Sequence, residues 1–169
     1  MVTISGMATP EMSEPVKNVQ NGISKADGLA RHDWNSDINF EIRIDIKSVD
    51  DIVTARQEGR ALAKSLGFSP TEATLIATAI SELARNILLY ARTGEMVLSK
   101  VVNGQHTGII ITGKDEGPGI LNLVHAMMSG YSTSGGLGLG LPGVKKIMDN
   151  FDISSEHGQG TTVTTIMWL

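Results

Sequence analysis

Ser69-Pro70-Thr71-Glu72-Ala73-Thr74-Leu75-Ile76-Ala77-Thr78-Ala79-Ile80-Ser81-Glu82-Leu83-Ala84-Arg85-Asn86 is the stretch on which the fold turns. Ser69 can cap a helix, Pro70 suits its first turn, and Glu72 completes a capping box. The helix should run to about Arg92, with Thr93-Gly94 ending it. At about 100° per residue, Ile76, Ile80, Leu83 and Ile87 define a core stripe. Asn86 then sits roughly 90° from the stripe centre and Glu82 roughly 130°. Both are expected at the edge of the buried face, where a cleft can open. An amide oxygen is a hard ligand for magnesium, and a carboxylate one turn earlier can accept a proton from an attacking hydroxyl. Taken alone, a Glu-x-x-x-Asn is also what the solvated flank of an amphipathic helix looks like.

On the N-terminal side, Ile38, Phe40, Ile42, Ile44 and Ile46 alternate with polar residues, the period of a half-buried strand. Val49 to Leu66 reads as a helix stopped by Gly67. Residues 1–36, rich in Ser, Asn, Gly and Pro, read as a disordered tail, with residues 37–169 as the folded domain. On the C-terminal side, two strands are expected near Met96–Val102 and Gly108–Lys114, then a short helix over Leu121–Met128. A glycine-rich loop spans Ser129–Leu141, and Pro142 opens a helix to about Asn150. Phe151–Ser155 and Thr161–Trp168 form a closing hairpin around His157–Gly160. Short connections between late strands call for a mixed, mostly antiparallel sheet. Helices on one face make it a two-layer α/β sandwich.

Composition narrows the chemistry. The 169 residues fit one domain. Net charge is −4, and only seven residues are aromatic, which argues against a nucleic-acid partner. With no cysteine there are no disulfides, thiolate metal sites or cysteine nucleophiles. The N-terminus lacks a basic start followed by an apolar run, and the apolar stretch around Leu75–Ala91 is broken by Glu82 and Arg85. A cytoplasmic protein without a membrane partner is expected.

Two further elements join Glu82 and Asn86. Asp115-Glu116-Gly117-Pro118-Gly119 ends an apolar strand. Asp115 there can accept a hydrogen bond from an adenine amino group, while Gly117 and Gly119 let the backbone approach a flat base. The same residues also make a plain turn. Ser132 to Gly143 carries glycines at 135, 136, 138, 140 and 143 ahead of a helix N-terminus, which suits phosphate binding. Its alternating leucines favour a lid over a solvent linker. Two look-alikes fail. Gly108–Lys114 nearly spells a P-loop, but Asp115 stands where Ser or Thr is needed. Gly138–Gly143 matches G-x-G-x-x-G without the preceding strand.

Taken in order, Glu82-x-x-x-Asn86, Asp115-x-Gly117-x-Gly119, the Gly135–Gly140 lid and Gly160-Thr161 resemble the motifs of the GHKL superfamily of ATPases and kinases. This is the Bergerat-fold family of gyrases, heat-shock chaperones and histidine kinases. The segments Ala79–Asn86, Tyr131–Gly138 and Leu141–Lys146 are more specifically similar to the switch-protein serine/threonine kinases of the bacterial stressosome. The resemblance covers about Phe40 to Leu169 and implies an ATP- and Mg2+-dependent kinase. It makes Glu82 the general base and Asn86 the magnesium ligand, with Asp115 reading the adenine amino group. Gly117 and Gly119 would shape the base pocket, Gly136, Gly138 and Gly140 would lie along the phosphates, and Thr161 would support Asp115. The implied substrates are STAS-domain proteins of the stressosome. Release from them would free the kinase to activate a downstream regulator such as a PP2C-type phosphatase. An anti-sigma factor with the same ATP site and a non-catalytic ATP-gated adaptor are the rival readings. A histidine kinase fits less well, since the chain lacks room for a dimerisation helix pair with an acceptor histidine. Leu139 and the long tail depart from the family pattern.

Overall fold

The structure is a computed structural model that describes residues 2–5, 40–128 and 140–169. Six strands form one sheet: β1 (Val2–Ser5), β2 (Glu41–Ile46), β3 (Gly94–Asn103), β4 (His106–Asp115), β5 (Asn150–Glu156) and β6 (Gly160–Trp168). Their spatial order is β1-β2-β3-β4-β6-β5, and every pairing is antiparallel. The expected mixed sheet is thus antiparallel throughout the described residues, because each neighbouring pair runs in opposite directions.

Among the described residues, four α-helices accompany the sheet: α1 (Val49–Leu66), α2 (Pro70–Asn86), α3 (Leu123–Ala126) and α4 (Gly140–Ile147). Both long helices start where their side chains dictate. Ser48 accepts the Asp51 N–H at 3.3 Å, and Asp51 accepts the Ser48 N–H at 2.8 Å. Ser69 and Glu72 make the same reciprocal pair at the head of α2. The Lys47 amide and then the Ser48 hydroxyl hold the Asp51 carboxyl below its ordinary range, and the Ser69 hydroxyl and amide do the same for Glu72. A carboxyl depressed by folding stabilises above its unfolded titration range and loses that stabilisation as pH falls through the folded one. Ser48→Ala is expected to cost about 1 kcal/mol at neutral pH and progressively less on acidification. The denaturant midpoint should fall while nucleotide affinity stays the same; a pH-independent difference between the two proteins would contradict the cap.

Alternation sorts the sheet into two faces. Ile42, Ile44 and Ile46 of β2 share one core with Met96, Leu98, Ile109, Ile111, Val163 and Met167. Ala55 and Leu62 of α1 and Ile76, Ile80 and Leu83 of α2 close over it. The opposite face holds a smaller buried cluster of Val101, Ile110 and Ile166, with Trp168 packed against it.

Three features differ from the sequence reading. Val2–Ser5, inside the stretch read as a tail, pairs with β2 at the sheet edge, Val2 opposite Ile44; residues 6–39 lie outside the described residues. The helix expected to continue to Arg92 is α-helical only to Asn86 and then makes a π-helical turn over Ile87–Ala91. Arg92 ends it with a φ of 68°. Most of the lid, 129–139, lies outside the described residues.

Candidate nucleotide and phosphoryl-transfer site

The C-terminal ends of α2 and β4 converge at Gly94. A Cβ there would lie 2.6 Å from the Ile87 side chain and 3.2 Å from that of Asp115, so no larger residue fits between them. Asn86, the last residue of α2, is half-buried beside this junction. The π-helical turn then widens the helix and carries Ala91 against Gly117, where a Cβ would sit 2.6 Å from the alanine methyl. The helix motif and the strand motif, about thirty residues apart in sequence, are thereby joined in space.

Glu82 is placed otherwise than its helical angle suggests. It is 3% exposed rather than at an open edge, because α4 packs against α2 on that side. Its Oε2 accepts the N–H of Gly140, the first residue of α4, at 3.1 Å. Oε1 is buried without a hydrogen-bond partner among the described residues. The nearest cation to it is Arg85, with Nη1 at 3.8 Å. A carboxylate with one oxygen held and the other unengaged has an acceptor to spare for a proton, and an unpaired buried acceptor is costly enough to need a reason.

On the strand side, Asp115 Oδ1 accepts the N–H of Gly117 at 2.9 Å, closing the turn and fixing the carboxylate at the strand end. Gly119 takes a φ of 71° and Gly160 a φ of 98°, conformations that favour glycine. A Cβ on Gly119 would land on the carbonyl of Glu156, and one on Gly160 on the carbonyl of Asp115. The loop after β4 is therefore pressed against the β5–β6 hairpin. Ser155, which no motif flagged, ties the two together: its Oγ accepts the Ile120 N–H at 2.8 Å and donates to the Gly160 carbonyl at 3.0 Å. Thr161 stands opposite Asp115 in the β4–β6 register, and its hydroxyl bonds Ser155 at 2.8 Å. Thr161 is thereby tied to the Ser155 hub that also holds Ile120 and Gly160. Gly160→Ala forces a left-handed conformation worth about 1–3 kcal/mol and a backbone collision. Lower thermal stability and weaker nucleotide binding are expected together; a variant unchanged in both would show that the brace is unimportant.

Of the expected site residues, Glu82 and Gly140 meet directly, Asp115, Gly117 and Gly119 follow one another at the end of β4 and in the loop after it, and Thr161 of β6 stands opposite Asp115. Gly136 and Gly138 lie outside the described residues, as does Leu139.

The family model described as histidine kinase-, DNA gyrase B-, and HSP90-like ATPase matches residues 71–169, the span from α2 to the last strand that holds every element of this site. The chain belongs to that family. Within the GHKL proteins it lies on the serine/threonine-protein kinase branch: it is 51% identical over 119 residues to the serine/threonine-protein kinase RsbT of Bacillus subtilis, covering 70% of this chain and 90% of the relative. Solved structures with some likeness include the RsbU and RsbW domains of a Mycobacterium tuberculosis protein, at a TM-score of 0.49 and 17% identity. That alignment covers 74% of this chain and 32% of the other, so the chain spans about a third of that structure. The mycobacterial sensor histidine kinase MprB aligns at a TM-score of 0.44 and 14% identity, covering 75% of this chain and 95% of that one. As a GHKL member the chain has a nucleotide-binding kinase domain. Among the described residues, no helix is long and apolar enough to cross a membrane.

Proposed function

We propose that this GHKL protein is an ATP-dependent serine/threonine kinase acting on STAS-domain proteins of a stressosome, and that it then switches partners to activate a downstream regulator such as a PP2C-type phosphatase. The observation that carries the kinase reading is the buried Glu82 carboxylate, anchored through one oxygen to the head of α4 with the other oxygen buried and without a hydrogen-bond partner among the described residues. A protein that only bound nucleotide would have no use for a buried proton acceptor there. The similarity to RsbT and the sequence resemblance to stressosome switch kinases support the substrate class.

The residues fit the roles. Glu82 Oε1 takes the proton of the substrate hydroxyl as that oxygen attacks. Asn86 offers the hard amide oxygen that magnesium accepts while keeping water and phosphate ligands. Asp115 offers a carboxylate acceptor to the adenine amino group, beside a loop that Gly117 and Gly119 let pack closely against Ala91 and Glu156. Gly136 and Gly138 would provide amides along the phosphates, with Gly140 beside them holding Glu82 through its own N–H. Thr161 steadies the Asp115 loop through Ser155. Mg-ATP, when bound, supplies the phosphoryl group and the charge neutralisation of its transfer. A cytoplasmic setting follows from such partners.

The test is intact-mass spectrometry of a stressosome STAS-domain protein incubated with this chain and Mg-ATP. A gain of one phosphoryl group on a serine or threonine is the expected result. Tight ATP binding without any mass gain would overturn the stressosome-substrate reading and favour an anti-sigma factor with another acceptor or an ATP-gated adaptor.

A further inference from the structure

Arg85 belongs to no nucleotide motif, yet it is placed where the chemistry of Glu82 needs it. The two residues are three apart on α2, so they share a face. Glu82 is 3% exposed, while the Arg85 side chain keeps 36% of its surface in solvent. The carboxylate thus lies inside and the guanidinium spans from it to the surface. Burial of a carboxylate is unfavourable unless hydrogen bonds and an opposite charge compensate it. Gly140 N–H compensates Oε2. For Oε1 the compensation is Arg85 Nη1 at 3.8 Å, within ion-pair range but beyond hydrogen-bond reach.

That distance has a chemical meaning. A guanidinium bonded directly to Oε1 would occupy the lone pair that a base must offer. Held a little farther away, it counters the negative charge and leaves the lone pairs of this buried oxygen without a hydrogen bond, free to take a proton once substrate is bound.

We infer that Arg85 is a positioning residue for Glu82, aiming and compensating the carboxylate oxygen that receives the substrate proton. The inference rests on the reading of Glu82 as general base. The roles are divided within one carboxylate: Oε2 is the anchor, fixed to the head of α4, and Oε1 is the working atom, set by Arg85. An arginine placed for the nucleotide or for a protein partner would not have to answer to Glu82 at all, and this is what separates the alternatives.

The experiment is a double-mutant cycle with Arg85→Ala, Arg85→Lys, Glu82→Gln and the Glu82→Gln/Arg85→Ala pair, read by single-turnover transfer to the STAS-domain acceptor and by thermal melting. Arg85→Ala is expected to lower kcat about tenfold with KM for ATP little changed, as for a pairwise coupling of ordinary size. Arg85→Lys should recover most of that loss, since it restores the charge. In the Glu82→Gln background, Arg85→Ala should change neither the residual rate nor the melting temperature, whereas in the parent it lowers both. An undiminished Arg85→Ala effect in that background would overturn the inference, as would a raised KM for ATP with kcat preserved. Loss of melting-point coupling between the two positions, with Glu82→Gln still inactive, removes the Arg85 role alone. Full transfer by Glu82→Gln removes the base reading and this inference with it.

Discussion

Glu82→Ala is expected to slow phosphoryl transfer by about 10²–10⁴-fold while leaving ATP binding in place. The loss follows from the position of the carboxylate. Oε2 is held by the Gly140 N–H and the side chain is almost wholly buried, so the carboxylate is fixed in place and alanine leaves no proton acceptor at that position. General-base assistance of this kind corresponds to roughly 3–5 kcal/mol of barrier. Alanine also frees the Gly140 amide, which costs stability, so Glu82→Gln is the companion variant: it keeps an acceptor for that N–H and removes the basicity. Rates are to be measured under single turnover and nucleotide affinity by titration calorimetry. A transfer rate within a few-fold of the parent would refute the assignment. Loss of nucleotide binding in both variants would mean that Glu82 serves the pocket rather than the chemistry.

Asp115→Asn separates shape from charge. The asparagine oxygen can still accept the Gly117 N–H that closes the turn, so the loop should hold its form. What changes is the other half of the group: a carboxylate oxygen becomes an amide N–H2, which faces an adenine amino donor with a second donor. Loss of one charge-assisted hydrogen bond is worth about 1.5–3 kcal/mol, or roughly 10–150-fold in affinity. Calorimetry with ATP and ADP should give the same factor for both, because the lost contact is at the base and not at the phosphates. Affinity within threefold of the parent would remove Asp115 from base recognition.

Much of this was open to a reader of the sequence, for physical reasons that differ by element. The apolar spacing of Val49–Leu66 and the Gly67 stop announce α1, while the reciprocal Ser48–Asp51 cap at its head came from the structure. The strands β3 and β4 show because their apolar residues alternate or run unbroken against a polar turn. Glu82 and Asp115 could be picked out because chemistry fixes their residue types and spacings. The burial of Glu82 could not, because it depends on α4, a helix some sixty residues later, folding across its face. Helical angle reports only where a side chain leaves its own helix. The π-helical turn was equally hidden: Ile87–Ala91 has unremarkable helix-forming residues, and its geometry comes from packing at Gly94 and Gly117. Ser155 carried no signal, since one serine in a half-exposed strand looks like any other. Val2–Ser5 is too short for its alternation to stand out, and only its pairing with β2 identifies it.

The brace between the loop after β4 and the last hairpin has a consequence for how the chain can vary. Tips of surface turns are ordinarily where insertions are absorbed without effect. The tip at His157–Gln159 is exposed and polar, and would be chosen as such a place on composition alone. Yet Gly158 donates its N–H to the Pro118 carbonyl at 2.8 Å, and the residues on either side press against Gly119 and Asp115. Lengthening this hairpin by a single residue would shift the loop that carries Asp115 and Gly119, and with it the proposed adenine site. The turn at Asn103–His106, at the other end of the sheet, has no such attachment among the described residues and is where added sequence, a tag or a reporter, should be carried without loss of nucleotide binding.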